Sequence, residues 1–211
     1  MKKISFYQLF WIFIIGCILG WTVEVLYAYI TMGSFQNRSS FIYGPIGGAY
    51  GLGAIILTFA LYKFKNYSNL KLFLISFLVG TIWEYIMSLG MDLFLGYTAW
   101  DYSNEFLNIN GRVCLLYSIF WGLLGLFWIK LFFPLLIKII DNIPHKFGNI
   151  TMTILIIFLI FDIVITFLAT NRLKERHNSI GADSKLDYFL DTYYTDEYLK
   201  RVFPGHYDKI R

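Results

Sequence analysis

The sequence has few charged residues, few cysteines and few histidines, and each shortage excludes a class of protein. Charged residues make up 15% of the 211 positions, whereas soluble domains carry about 25%. The two cysteines lie in apolar stretches, which predicts buried thiols rather than a disulfide, and the three histidines form no cluster with metal-ligand spacing. From the sequence we therefore assign no catalytic residue, metal site or cofactor, and we expect no nucleic-acid partner.

Long apolar runs, by contrast, are abundant. Hydrophobic residues make up 57% of the chain and aromatic residues 20%. A transmembrane helix needs about 20 mostly apolar residues, and five stretches qualify, approximately 8–30, 46–62, 70–93, 113–133 and 150–170. The first lacks an Ala-x-Ala-like cleavage site, so it is an uncleaved span rather than a signal peptide. The sequence predicts an all-α polytopic membrane protein of about five transmembrane helices, with the lipid bilayer as its surroundings.

The same residue types accompany two glutamates in the same order. Each glutamate follows a glycine by four residues, and each precedes an arginine from which a tyrosine follows at five residues and glycines at ten and thirteen. The first set comprises Gly20, Glu24, Arg38, Tyr43, Gly48 and Gly51, and the second comprises Gly80, Glu84, Arg112, Tyr117, Gly122 and Gly125. The pattern predicts two repeated helical hairpins, over about 8–62 and about 70–133.

The last forty residues differ from the rest in composition. Beyond Asn171 the chain has eight Lys or Arg against seven Asp or Glu, and apolar residues recur at rough helical spacing. We therefore expect a transmembrane domain over 1–170, with a fifth span at about 150–170. The polar amphipathic tail over 171–211 is expected to form short helices that cap this domain or bind a partner.

The net charge of +4 reflects the topology of the spans better than it reflects an anionic partner. Eight lysines share one side of the predicted bundle, namely Lys2, Lys3, Lys63, Lys65, Lys71, Lys130, Lys138 and Lys146. The positive-inside rule then places the N-terminus in the cytoplasm. Five spans place the tail outside, although Arg172, Lys174 and Arg176 favour the opposite side and a sixth crossing would reverse it. The Lys, Ile, Asn and Phe bias is typical of an AT-rich bacterial genome, which predicts a bacterial cell membrane.

Acidic residues inside the apolar runs are candidates for a functional site, because buried charge in a membrane is expensive unless it is paired or hydrated. Each hairpin supplies a carboxylate from its first helix and a guanidinium from the start of its second. A guanidinium can clamp a carboxylate or a phosphate, but it can equally form a structural pair or reach lipid headgroups. The candidate residues of an outer binding pocket are Glu24, Asn37, Arg38, Tyr43, Glu84, Asp101, Arg112 and Asp162.

Two segments between the spans have further expectations attached to them. The loop from Gly96 to Arg112 is aromatic and polar, and Asp101 between two aromatic residues suggests a lid over the pocket. In the extension of the fourth span, from Lys130 to Asp141, Lys130, Lys138 and Asp141 lie among apolar residues around Pro134, a pattern that suits an interfacial helix on the cytoplasmic face.

Several short motifs together resemble a known family. These are Asn37-Arg38, Tyr43-Gly44-Pro45, Tyr50-Gly51, Trp83-Glu84, Trp100-Asp101-Tyr102, Asn110-Gly111-Arg112 and Trp121-Gly122. Over approximately 5–170 they resemble the type IV ABC-transporter permease family, also called CmpB-like. The resemblance implies a transport permease without a settled substrate. The family pattern has a proline or cysteine near Gly47 and Gly48, where this chain has glycine.

Three functions remain open from the sequence. The first is a transport component that binds a small solute, together with a separate ATPase or second membrane subunit, or as a homo-oligomer, since the chain contains no Walker motif. The second is a membrane enzyme acting on a lipid headgroup, with Glu24 or Glu84 as general base. The third is an accessory or sensor protein whose tail binds a partner.

Overall fold

The computed structural model describes residues 3–95, 98 and 100–204. Lys2, Gly96, Tyr97, Ala99 and the last seven residues, on which some of the expectations above depend, lie outside the described residues. The described chain is helical: α1 Phe6–Met32, α2 Gly48–Tyr62, α3 Asn69–Leu95, α4 Leu115–Phe127, a π-helical segment Trp128–Phe132, α5 Phe133–Asp141, α6 His145–His177, α7 Lys185–Tyr193 and α8 Asp196–Val202.

Four of these helical stretches are long and apolar enough to cross a membrane: Phe6–Met32, Asn69–Leu93, Leu115–Asp141 and His145–His177. Helix α2, the second predicted span, is apolar but has only 15 residues. The predicted class of an all-α polytopic membrane protein is confirmed. Helix α6 extends beyond the predicted end of the fifth span at residue 170 and continues to His177.

Helix α1 shows how local sequence sets the ends of a span. Ser5 and Gln8 form a capping box, in which each side chain accepts the other's backbone N–H. Gly33 ends the helix in the left-handed region, with φ of 69°, and its N–H donates to the carbonyl of Tyr29. These two signals add residues to both ends of the predicted apolar core of the span.

The extension of the fourth span predicted around Pro134 is helical and continuous with that span. Helix α4 continues through the π-helical segment into α5, so Leu115–Asp141 forms one apolar helix. Pro134 lies in the first turn of α5, directly after the π-helical segment. The backbone hydrogen-bond pattern changes there from π-helical to α-helical, and the missing N–H of proline is tolerated. Ile140 is completely buried in the same hydrophobic cluster as Leu61 and Leu72, so this segment belongs to the bundle.

Glycines allow the two helices of each hairpin to approach closely. A methyl group at Gly51 would lie 2.8 Å from the Phe13 ring, and one at Gly122 would lie closer still to the Phe73 ring. Neither contact is compatible with a side chain at the glycine unless the ring shifts. The glycines therefore permit close helix packing in both hairpins.

The tail packs onto the loop that joins α1 to α2. Ile42 of this loop shares a buried cluster with residues of α6 and of the tail, namely Leu173, Leu190, Tyr194, Leu199 and Phe203. The amide of Asn37 donates to the carbonyl of Val202 at 3.0 Å. The tail and the loop 33–47 consequently lie at the same end of the bundle, which we term the capped end.

Ion pairs fasten the tail to the end of α6. Arg172, only 3% exposed, bonds to Asp191 and Glu175, each at 2.8 Å, and Arg176 bonds to Asp191 at 2.7 Å and to Asp196 at 2.6 Å. The Arg172 guanidinium holds the pKa of Asp191 below its usual range. Because carboxylates neutralise these arginines, they carry less weight as topology signals than the sequence alone suggests.

Candidate functional site

Glu24 is held by a phenol from the neighbouring helix. The ring of Tyr50 in α2 packs against Gly20 of α1, where the missing side chain of the glycine leaves room for it. Its hydroxyl donates a short hydrogen bond to Oε1 of Glu24, one helical turn further along α1. Tyr50 was not among the candidate residues, although the glycine four residues before the glutamate marks the gap that admits its ring.

Glu84 has an equivalent arrangement with more donors. Trp121 of α4 packs against Gly80 of α3, and its indole N–H donates to Oε2 of Glu84 at 3.3 Å. The hydroxyl of Tyr102, from the loop between α3 and α4, donates to Oε1 at 3.1 Å. The Glu84 residue is only 8% exposed, so these neutral donors replace much of the water that its carboxylate would otherwise need.

The repeated sequence therefore produces a repeated contact. In each hairpin a glycine admits an aromatic side chain that bonds to the glutamate four residues later. The two aromatic residues stand at different offsets, since Tyr50 follows Arg38 by twelve residues and Trp121 follows Arg112 by nine. Sequence alignment of the repeats does not pair them, which explains why they were missed. We term the set Glu24, Tyr50, Glu84, Tyr102 and Trp121 the twin-glutamate centre.

Helix α2 joins the two halves of this centre. The Tyr50 hydroxyl, bonded to Glu24, also lies within electrostatic reach of Glu84 and Arg38. One turn further along α2, a methyl group at Gly53 would lie 3.3 Å from the Trp121 ring and 3.4 Å from the indole nitrogen of Trp83. The centre thus spans the junction of the two hairpins.

The two arginines do not pair with the two glutamates. Arg112 bonds to Asp92 at 2.5 Å and to the hydroxyl of Ser88 at 3.2 Å. Arg38 donates to the side-chain oxygen of Gln36 at 3.1 Å, and its buried Nε has no hydrogen-bond partner among the described residues. Within the described part of the chain, no lysine, arginine or histidine lies within 4.0 Å of either glutamate carboxylate.

The loop between α3 and α4 reaches the centre through Tyr102 rather than Asp101. Asp101 accepts bonds from the N–H and hydroxyl of Ser103, at 2.9 and 2.5 Å, and is exposed. The ring of Tyr102 stacks on Tyr117 with centroids 4.4 Å apart and an interplanar angle of 14°. Burial, followed by the neighbouring Glu84, raises the pKa of the Tyr102 hydroxyl far above its usual range, so it remains a donor.

The other candidate residues form a second group beneath the tail. Asn37 accepts the indole N–H of Trp21 at 3.0 Å, and the backbone N–H of Tyr43 donates to Oδ1 of Asp162 at 3.0 Å. Asp162 is fully buried, and its Oδ2 has no partner among the described residues. A neutral buried group without a partner costs about 1–3 kcal/mol, whereas an unpaired buried charge costs several times more.

Neither group resembles a metal centre. In the described ranges, no three His, Cys, Asp or Glu side chains converge in a way that could hold a metal ion. The centre offers two carboxylates and aromatic donors, a set suited to binding a positively charged or hydrogen-bonding group.

Comparison with known proteins identifies the family. The family model described as Putative ABC-transporter type IV matches residues 11–167. The chain belongs to this family. The match includes both hairpins and Asp162, and it ends before the tail. No curated protein and no solved structure matches the chain significantly.

Proposed function

We propose that this chain is the membrane-embedded subunit of a transporter, and that the twin-glutamate centre contacts the transported solute. Membership of the family supports the transport role, and the long apolar helices support a place in the bilayer. The duplicated hairpins support a site at their junction, because transporters built from repeats commonly bind their substrates there.

The observation that carries the proposal is the absence of a counter-ion at the centre. The described donors to Glu24 and Glu84 are the neutral side chains of Tyr50, Tyr102 and Trp121. A carboxylate in an apolar bundle that lacks a cation favours a positively charged ligand or a proton. Arg112 is paired with Asp92, and among the described residues Arg38 forms no ion pair with either glutamate, so the centre favours a cationic solute over an anionic one.

Energy for transport would come from a partner. ABC transporters couple solute movement to ATP hydrolysis, and the phosphate-binding Walker motif is missing from this sequence. We therefore propose a separate ATPase that associates with this chain in the bacterial cell membrane.

The test measures the melting temperature of the purified protein in lipid nanodiscs with a panel of small inorganic cations, alkylammonium ions and matched anions. A ligand at a hundred times its dissociation constant stabilises the folded state by about 2.7 kcal/mol. We expect at least one cation to raise the melting temperature of the wild type, and the anions to have no effect.

Two variants test whether the rise in melting temperature comes from cation binding at the twin-glutamate centre. Glu24→Gln combined with Glu84→Gln should remove the cation response while the protein stays folded. Glu105→Gln, the same change at an exposed glutamate of the loop, should keep it. A cation response that survives in the double variant, or a response to anions alone, contradicts the proposed site.

A further inference from the structure

Asp162 is an acid that the proposed solute site does not use. It lies in α6 with no exposed surface, and the contacts that surround it come from the loop 33–47 and the tail rather than from Glu24 or Glu84. Its Oδ1 accepts the backbone N–H of Tyr43 at 3.0 Å and the hydroxyl of Thr166 at 3.4 Å. Its Oδ2 is buried without a partner in the described residues.

The surroundings of Asp162 contain no cation that could balance its charge. In the described part of the chain, no lysine, arginine or histidine lies within 4.0 Å of its carboxyl group. Arg172, ten residues further along α6, is occupied by Asp191 and Glu175. The ionisable groups of the described residues that lie near Asp162 are Tyr43 from the loop 33–47 and Tyr194 and Tyr198 from the tail, with Arg201 beside Tyr198. Arg38 of the same loop donates to Gln36, and Glu24 of α1 is bonded to Tyr50.

The loop 33–47 and the tail cover Asp162, and the hydrogen bond that Asp162 accepts from Tyr43 helps to hold both in place. Tyr43, whose N–H bonds to the carboxyl group, shares a hydrogen bond of 2.9 Å between its own hydroxyl and that of Tyr194 in the tail. Ile42, the preceding residue, is buried between α6 and the tail. One continuous set of contacts therefore connects the carboxyl group of Asp162 to the docked position of α7 and α8.

We propose that Asp162 is a proton-binding site, and that its bound proton keeps the tail docked on the loop 33–47. A proton neutralises the carboxyl group at its bare Oδ2 without needing further space in this packing. When the carboxyl group ionises, the proton passes to water, and the carboxylate requires hydration that the closed cover excludes. Loss of the proton therefore favours the undocked tail.

The direction of the pH dependence of docking distinguishes the contribution of Asp162 from that of the nearby ion pairs. Docking that depends on a protonated acid is complete at low pH and is lost as the pH rises. Docking that depends on the Asp191 pairs is lost as the pH falls. Over the range in which Asp162 titrates, the ratio of docked to undocked protein should fall by up to about tenfold for each pH unit, which is the slope of one proton.

The experiment measures the distance between spin labels at Phe35 and Tyr188 in the full chain in nanodiscs. Both positions are exposed, at 67% and 63%, and the native Cys17 and Cys114 are buried. The wild type should give one narrow distance at about pH 5 and a broad distribution at about pH 9, a range that lies above the titration of ordinary carboxyl groups at about pH 4. Asp162→Asn, which mimics the protonated acid, should give the narrow distance throughout.

Asp191→Asn is the matched control, because the same chemical change in the tail should weaken docking without abolishing the loss of docking at high pH. A wild-type distance that is constant across the range overturns the proposal, and so does an Asp162→Asn variant with the wild-type pH dependence. An infrared difference spectrum between wild type and Asp162→Asn provides a second reading. It should contain the band of a protonated carboxyl group, and its absence overturns the proposal even if the labelled variant does not fold.

Discussion

The hydroxyl of Tyr50 bonds to Glu24 at the place where Gly20 leaves room for the phenol ring. The relationship recurs between Trp121 and Glu84, where Gly80 leaves the corresponding gap. A glutamate, a glycine one turn before it and an aromatic donor from the next helix thus form one unit, present in both hairpins.

Removing the hydrogen-bond donor alone tests how much this unit contributes to stability and to the response to cations. Tyr50→Phe keeps the ring over Gly20 but removes the bond to Glu24, and a hydrogen bond to a charged group contributes about 1.5–3 kcal/mol. We expect a lower free energy of unfolding in nanodiscs and a weaker response to cations. Tyr29→Phe, at an exposed tyrosine of the same bundle, should change neither measurement, and equal losses in both variants would contradict this assignment.

Filling the space at Gly80 should lower stability more than removing the hydrogen bond of Tyr50 does. Gly80→Ala places a methyl group against the Trp121 ring, and overpacking of this kind costs about 1–3 kcal/mol. The displaced indole also loses its bond to Glu84. The measurement is the melting temperature together with the tryptophan fluorescence spectrum.

Gly90→Ala is the control in the same helix. Among the described residues, no atom outside the neighbouring backbone of its own helix lies within 4 Å of a methyl group built at Gly90, and alanine is favoured over glycine in a helix by about 1 kcal/mol. We expect unchanged or higher stability from Gly90→Ala and lower stability from Gly80→Ala. The reverse order would show that Trp121 does not depend on the gap.

Acid should release the tail through Asp191. Its pKa is lowered chiefly by Arg172, so its contribution to docking is present above the unfolded pKa of about 3.9 and is lost as the pH falls through the lower folded value. Hydrogen exchange of α7 and α8 should therefore remain slow down to about pH 4 and accelerate below it. Asp191→Asn should accelerate exchange already at higher pH, while Asp183→Asn, at an exposed acid before α7, should not.

The side of the tail follows from its contacts with the loop 33–47. Cysteines introduced at the exposed positions Phe35 and Tyr188 should react with a membrane-impermeant reagent from the same side of intact cells, and one at Tyr67 should react from the other side. If the N-terminus is cytoplasmic, as the lysine distribution predicts, the first two react from outside. Labelling of Phe35 and Tyr188 from opposite sides would contradict the docked tail.

The apolar runs were sufficient to predict the class of the protein and most of its spans, because hydrocarbon requires long helices whatever their partners. They did not predict the full length of the Leu115–Asp141 stretch, since the apolar run was taken to end just before Pro134, which the structure accommodates in the first turn of α5 after the π-helical segment. The fourth span is therefore longer than its apolar run.

The site was predicted less completely than the fold. The glutamates are conspicuous because they carry charge within apolar sequence, and the structure gives both of them neutral side-chain donors. Their partners are aromatic residues that look like packing residues, and Tyr50 and Trp121 occupy different offsets in the two repeats. Arg112 prefers Asp92 because both lie near the same end of the second hairpin, a choice that depends on geometry and not on spacing.

The contacts at the capped end differ between the two hairpins. The connecting loop of the first hairpin is packed against α6 and the tail through Asn37, Ile42 and Tyr43, whereas Tyr102, Asn110 and Arg112 join the loop of the second hairpin to α3 of that same hairpin. Movement of the first hairpin relative to α6 would therefore have to open a buried apolar cluster, while the described bonds of the second loop would move with their own hairpin.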